Sequence, residues 1–105
     1  MSNLRQQREA LENEHRYYQK RLDSIEQEYH YMKMDMMNHT DRLCNWTSHF
    51  YRDIPNHLGA ATSQLWQLRD EFDMRMRRYE GQLAEERSRE RKQYRKRLDD
   101  LEYHR

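Results

Sequence analysis

The side chains best suited to chemistry in this chain are one thiol and several imidazoles. Cys44, the only cysteine, lies five residues from both His39 and His49, and a thiol with a neighbouring imidazole could form a nucleophile. No motif of a cysteine enzyme surrounds these residues. The histidines form no His-Glu-x-x-His pattern and no cysteine–histidine pairing at zinc spacing. We therefore predict that the protein is not an enzyme and has no catalytic, metal-binding or cofactor-binding site.

A cluster of methionines offers thioether ligands for a soft metal: Met32, Met34, Met36 and Met37. Methionine is also the side chain that best fills irregular apolar gaps. Two of the four fall on the heptad stripe described below, which favours packing over metal binding.

A basic run occupies residues 87–97, with Arg87, Arg89, Arg91, Lys92, Arg95, Lys96 and Arg97. On an open helix it could bind phosphates, and Tyr94 could stack on a base. However, acidic residues are interleaved with the run, no series of aromatic residues accompanies it, and the net charge of the chain is only +1. A solvated helix face or a dock for an acidic partner is the favoured interpretation. Nucleic-acid binding is the alternative.

Composition indicates that these side chains are carried by helices. The 105 residues include no valine, two isoleucines and three threonines, so strands have almost no β-branched residues. Glycine and proline together number three, too few for the turns of a β-rich fold. The 34% hydrophobic and 37% charged fractions give a small core and a heavily charged surface. A single all-α domain over residues 1–105 is predicted.

A seven-residue apolar repeat runs through the first half of the chain and predicts the seam of a helical hairpin or coiled coil. One series comprises Leu4, Leu11, Tyr18, Ile25, Met32, His39 and Trp46. The second comprises Arg8, His15, Leu22, Tyr29, Met36, Leu43 and Phe50. The second half carries its own stripe at Leu58, Ala61, Leu65, Leu68, Phe72, Met76, Tyr79 and Leu83.

Pro55 and Gly59 mark one break near the middle of the chain. The sequence predicts helix 1 over about 3–51, capped by Asn3, a bend over about 52–58, and helix 2 over about 56–103. Pro55 suits a first helical turn, with Asp53 or Ile54 as its cap. Two helices of similar length joined by a short connection fold back antiparallel.

The two ends of this antiparallel two-helix hairpin differ in composition. Residues 84–105 form a charged helix end that we expect to be mobile. Near the bend, apolar side chains extend beyond the seam, and a two-helix hairpin cannot bury them all. We therefore expect partner helices to complete the fold. The predicted partner-binding residues are Met36, Met37, Leu43, Trp46, Phe50, Tyr51, Leu65, Trp66 and Phe72.

Trp46, Phe50, the break at residues 53–59 and the matched helices resemble the WXG100-like small proteins of type VII secretion. They resemble more closely the small α-helical partners encoded beside LXG-domain toxins in Gram-positive bacteria. The resemblance implies a non-enzymatic adaptor or targeting chaperone that binds the helical N-terminal domain of a secreted toxin, with or without a second small helical protein. It implies a cytoplasmic location, or export together with the toxin. A homo-oligomeric coiled-coil protein is a further alternative.

The chain departs from that family in two motifs. Thr47 follows Trp46, so there is no Trp-x-Gly. The family's aromatic-x-x-x-acid export signal after helix 2 is missing too. Tyr31 with Asp35 and Trp66 with Asp70 have its spacing, although both pairs lie inside the predicted helices. The resemblance then implies that a companion protein or the toxin supplies the export signal.

Overall fold

The computed structural model describes residues 2–103, apart from the side chains of residues 2, 55 and 56. Helix α1 spans Ser2–Phe50 and helix α2 spans Pro55–Tyr103, with no strand among the described residues. The predicted all-α fold of two long helices is therefore confirmed. Residues 104–105, the last of the predicted charged end, lie outside the described residues. In the described part of the chain, neither helix has an apolar stretch long enough to cross a membrane.

The connection between the helices is shorter than predicted and covers residues 51–54. The carbonyl oxygen of Ile54 accepts hydrogen bonds from the backbone N–H groups of His57 and Leu58, at 3.1 and 3.3 Å. Ile54 is thus the N-cap, one of the two predicted candidates, and Pro55 is the first helical residue. Gly59 lies inside α2 rather than in the bend, and Asn3 lies inside α1 rather than at its cap.

Both helices contribute to each of two compact units, formed by residues 1–27 with 80–105 and by residues 28–79. In the first unit, which we call the terminal unit, polar side chains link α1 to α2. Partner numbers on α2 fall from 102 to 86–87 as those on α1 rise from 8 to 26, so the helices run antiparallel. The pairs are Arg8–Glu102, Glu14–Arg97 at 3.3 Å, Tyr18–Glu86 at 2.5 Å, Asp23–Arg87 at 2.9 Å and Glu26–Arg87 at 2.6 Å.

An aromatic stack with a polar contact beside it lies inside the terminal unit, where the sequence offers little apolar material. The imidazole of His15 stacks on the ring of Tyr94, with centroids 3.9 Å apart and planes 7° from parallel. Its Nδ1 lies 3.2 Å from Oε1 of Glu90, and both side chains are largely buried. Leu22 and Leu83 supply the buried apolar side chains of this unit. Stacking and polar pairing therefore take the place of a continuous leucine seam.

The second unit, residues 28–79, is called the bend unit here. Met76 is its most deeply buried side chain, at 1% exposure, and Tyr29 stacks on Tyr79 with ring centroids 6.0 Å apart. Two polar residues, Thr40 and Thr47, are each only 5% exposed. The hydroxyl of Thr40 donates a 2.7 Å hydrogen bond to the carbonyl oxygen of Met36 on the preceding turn. That internal bond satisfies the hydroxyl and makes its burial tolerable.

These threonines show that the seam of α1 shifts by one residue in the bend unit. The seven-residue repeat predicted His39 and Trp46 at the seam, but both are exposed, and Thr40 and Thr47 are buried in their place. An α-helix has 3.6 residues per turn, so a strict seven-residue repeat drifts by about 20° per heptad on a straight helix. The prediction that every heptad position stays on the seam is therefore wrong at His39 and Trp46, and also at Arg8, Met32 and Phe50, which are exposed, whereas Met36 and Leu43 are half-buried.

A similar correction applies to α2. Leu68, predicted on its stripe, is 59% exposed, while the neighbouring Arg69 is half-buried. With Arg69 in place of Leu68, the more buried positions 65, 69, 72, 76, 79 and 83 follow alternating steps of four and three. The sequence prediction chose Leu68 for the stripe because it gave more weight to leucine than to arginine. Arginine can lie along an apolar surface through its methylene groups.

The hydrogen bond from Tyr18 to Glu86 has a measurable signature. It raises the pKa of Tyr18 above 10.0, with smaller contributions from burial and from the charge of Glu86. Since the folded state holds this proton more tightly than the unfolded state, the stabilisation is present below pH 10 and is lost as the pH rises through the folded pKa. We expect Tyr18→Phe to lower the free energy of unfolding at pH 7 by about 0.5–1.5 kcal/mol.

Urea unfolding at neutral pH measures that change, and tyrosinate absorbance at alkaline pH follows the titration. Tyr18→Phe should remove the tyrosine titration that the hydrogen bond to Glu86 displaces to higher pH. The matched control is Tyr17→Phe, because Tyr17 is the adjacent residue and is 69% exposed. Equal effects of the two substitutions on stability would contradict the prediction.

Candidate partner-binding surface

The nine predicted partner-binding residues divide into two groups in the bend unit. Five lie half-buried in the layer between the helices, where they support the hairpin itself: Met36, Leu43, Tyr51, Leu65 and Phe72. The other four are exposed: Met37, Trp46, Phe50 and Trp66. The structure therefore places only the second group where a partner could cover most of the side chain.

Trp46 and Phe50 form an exposed aromatic pair on α1. Their rings stack with centroids 5.0 Å apart and planes 13° from parallel, and each side chain is 59% exposed. The edge of Tyr51 packs against Phe50 at 4.8 Å, with the planes at 84°. Because each ring is held by its neighbour, less conformational freedom is lost when a partner covers the pair.

Trp66 is the corresponding aromatic residue on α2. The guanidinium of Arg69 lies 5.2 Å from the centroid of its ring, within the range of a cation–π interaction. Arg69 thus packs against the ring that the sequence predicted as a binding residue. The ring remains 47% exposed. Trp and Arg are both enriched among the residues that dominate the affinity of protein interfaces.

Helix geometry places these exposed side chains on opposite sides of the bend unit. Each residue turns the helix by 100°, so a residue just before a seam position and one just after it lie on different flanks. Trp46 and Leu68 each precede a seam position, Thr47 and Arg69 respectively, whereas Trp66 follows the seam residue Leu65. In two antiparallel helices that face each other, residues just before a seam position lie on the same side of the pair in both helices. Residues just after a seam position lie on the other side.

Two faces follow from this geometry, each built from both helices. The Trp46 face comprises Met32, Trp46, Phe50 and Leu68. The Trp66 face comprises the exposed Met37 and Trp66 with the half-buried Cys44. Met32 and Leu68 were not among the predicted binding residues, although both had been placed on the predicted stripes of their helices. The signal that could have placed them outside is the drift of a seven-residue repeat on a straight helix.

The basic run, residues 87–97, is partly occupied by contacts within the protein. Arg87 pairs with Asp23 and Glu26, and Arg97 pairs with Glu14 across the terminal unit. On its own helix, Arg89 pairs with Glu86 at 3.0 Å. Tyr94, the candidate for base stacking, is already stacked on His15.

The side chains considered for catalysis or metal binding are not gathered into a ligand set. Cys44 is half-buried, while His39 and His49 are exposed on α1. Among residues 2–103, no group of three or more histidine, cysteine, aspartate or glutamate side chains could hold a metal ion.

The two pairs with export-signal spacing lie inside the helices, Tyr31 and Asp35 on α1 and Trp66 and Asp70 on α2. All four side chains are exposed. These side chains are accessible to another protein, and their role in export stays a prediction. Neither pair follows α2, which is where the resembled family carries its signal.

The shifted seam predicts opposite outcomes for two adjacent substitutions. Thr47→Arg places a charge in the layer between the helices, so we expect a loss of more than about 2 kcal/mol in the free energy of unfolding. Trp46→Arg replaces an exposed side chain with a good helix former, and the loss should stay below about 1 kcal/mol. Thermal melts followed by circular dichroism measure both. If Trp46→Arg proved the more damaging, the heptad position and not the shifted one would form the seam.

Comparison with known proteins gives no match to a family model, to a curated protein or to a solved structure.

Proposed function

We propose that this protein is a non-enzymatic helical adaptor that binds the helical N-terminal domain of an LXG-type toxin of type VII secretion. A second small helical protein can take part in the same complex. In this role the chain acts as a targeting chaperone, present in the cytoplasm with its toxin and either exported with it or left behind. Its contribution is an apolar surface that the toxin helices complete.

The observation that carries the proposal is the exposure of large apolar side chains beside a very small core. The described residues with buried apolar side chains are Leu22, Met76 and Leu83. By contrast, twelve large apolar or aromatic side chains are at least 40% exposed, and most of them belong to the bend unit. Full burial of one such side chain is worth about 1.5–3 kcal/mol. Covering the Trp46 and Trp66 faces would therefore contribute substantially to the stability of a complex.

Helices are the partners that fit these faces best. On both faces the exposed side chains lie along the axes of the two helices, with Trp46 and Phe50 separated by one turn. A third helix packed along the hairpin would meet such a row with its own apolar stripe. The bend unit carries seven acidic and seven basic residues, so its net charge is zero with neutral histidines. Apolar burial and not net attraction would then dominate binding there.

Two faces on opposite sides support a complex with more than one partner element. A helix packed on the Trp46 face cannot cover the Trp66 face, because the hairpin separates them. One toxin helix with one helix of a second protein, or two helices of the same toxin domain, would cover both. The toxin class itself comes from the resemblance at Trp46, Phe50 and the mid-chain break. The two exposed faces support the more general role of binding helices.

Nucleic-acid binding by residues 87–97 is the alternative, and three contacts argue against it. Arg87 and Arg97 are held by carboxylates of α1, and Tyr94 is covered by His15. The surface left for phosphates is therefore smaller than the seven basic residues suggest. Self-association into a homo-oligomeric coiled coil is the other alternative, since the same faces could bind a second copy.

The test is co-expression of the chain with the helical N-terminal domain of the toxin encoded beside its gene, and with any small helical protein encoded there. We expect a stoichiometric complex, seen as a defined mass in light scattering, and increased solubility of the toxin domain. Truncating a central aromatic residue of an interface costs about 2 kcal/mol or more. Trp46→Ala with Phe50→Ala, or Trp66→Ala alone, should therefore weaken binding by about thirtyfold or more.

The matched controls are Tyr17→Ala and Tyr103→Ala, which remove exposed aromatic rings of the terminal unit. These variants should bind as the unmodified chain does. Absence of a stoichiometric complex, with unchanged solubility of the toxin domain, would reject the proposal. A light-scattering mass equal to two or more copies of this chain, without a second protein, would favour the coiled-coil alternative.

A further inference from the structure

Four of the seven basic residues in the basic run form an ordered array that the internal ion pairs leave unoccupied. Arg91, Lys92, Arg95 and Lys96 are all exposed on α2. Among the residues that the structure describes, no carboxylate pairs with any of them. Arg91 with Arg95 and Lys92 with Lys96 are each separated by four residues, so the array consists of two adjacent rows, and the two members of each row lie about one helical turn apart.

Two carboxylates close to the array in sequence, Glu90 and Glu86, have other partners. Glu90 contacts His15 in the layer between the helices, and Glu86 accepts hydrogen bonds from Tyr18 and Arg89. The array is therefore a concentrated positive patch on a chain whose net charge is only +1. Exposed cations that the fold does not use for its own pairs remain available to an external anion.

We infer that this array docks the acidic face of a partner helix, with carboxylates spaced one turn apart opposite Arg91, Lys92, Arg95 and Lys96. The inference deepens the proposed function and rests on it only for the helical character of the partner. Helix–helix docking of this kind uses flanking charge pairs to set register and choice of partner. The array would supply selectivity.

The size of the array favours an acidic helix over a nucleic acid. Residues 91–96 span about 8 Å along the helix axis, which matches one to two turns of a partner helix. Duplex DNA instead presents a phosphate about every 1.7 Å of its axis and continues in both directions. Continuing phosphates would meet Asp99 and Asp100 beyond one end of the array and Glu85 beyond the other. A helix with a short acidic stretch avoids those repulsions.

The test uses the full chain and synthetic alanine-based helical peptides of about 20 residues, a length at which such helices form in water. One peptide carries glutamates at positions i, i+1, i+4 and i+5, and a second carries glutamines at the same positions. Amide chemical shifts of the chain should change saturably with the glutamate peptide, within residues 88–99, and the glutamine peptide should leave them unchanged. Binding should weaken steeply as salt is added.

Charge reversal separates a specific array from general attraction. Lys92→Glu combined with Arg95→Glu should weaken binding of the glutamate peptide by about tenfold or more. The same variant should gain binding to a peptide with lysines at those positions. The matched control is Arg16→Glu combined with Lys20→Glu, which makes the same change in net charge at exposed positions of α1 in the same unit.

Circular dichroism confirms that both variants remain helical, so that loss of binding can be assigned to the surface. Equal weakening by the control variant, equal binding of the glutamine peptide, or tighter binding of a DNA duplex than of the glutamate peptide would each overturn the inference. These outcomes are independent of the toxin complex. The inference about the array can therefore be wrong while the proposed function is right, and the proposed function can be wrong while the inference is right.

Discussion

A fold of only two helices can bury one stripe on each helix, and this constraint governs every other property of the chain. Each side chain outside the stripe faces solvent unless another molecule covers it. Long helices gain most of their stability from packing and not from intrinsic propensity. The choice of which residues occupy the stripe therefore decides what remains outside it. In the bend unit, Thr40 and Thr47 occupy stripe positions, and four aromatic side chains remain exposed: Tyr31, Trp46, Phe50 and Trp66.

The two units satisfy the constraint with different chemistry. In the terminal unit, the helices are joined by charge pairs and by the stack of His15 on Tyr94. Such contacts are directional, so they fix the pairing of the helices while contributing modestly to stability when exposed. In the bend unit, Met76 and the ring pair of Tyr29 and Tyr79 provide apolar packing. The bend unit thus has more aromatic side chains than its own packing can bury.

The division of the basic run follows from the same pairing. Arg87 and Arg97 belong to the contact between the helices, and Arg91, Lys92, Arg95 and Lys96 do not. Sequence alone shows seven basic residues of similar character. Only the antiparallel alignment of α1 with α2 reveals which of them face a carboxylate. The surface available to a partner is accordingly smaller and more ordered than the run suggests.

Much of the fold was predictable from particular residues. The absence of valine and the scarcity of glycine indicated helices, and Pro55 located the connection, because proline fits a first turn and no later position. Ile54 as the cap was one of two candidates. Beyond Tyr29, the heptad repeat assigned Met36 and Leu43 to positions that are half-buried, but not the other seam residues. There the heptad repeat and the 3.6-residue turn diverge, and hydrophobicity favoured Trp46 over Thr47 although the helix turns Thr47 inward.

The sequence by itself determined that the chain forms two long helices with one break, since backbone propensity and proline chemistry act over a few residues. The tertiary structure alone decided which side chains the helices cover and which they leave to solvent. That outcome depends on the rotation of each helix about its axis, and rotation is set by contacts between residues far apart in the chain. The placement of Trp46 and Phe50 outside, and of Arg69 against Trp66, is the consequence.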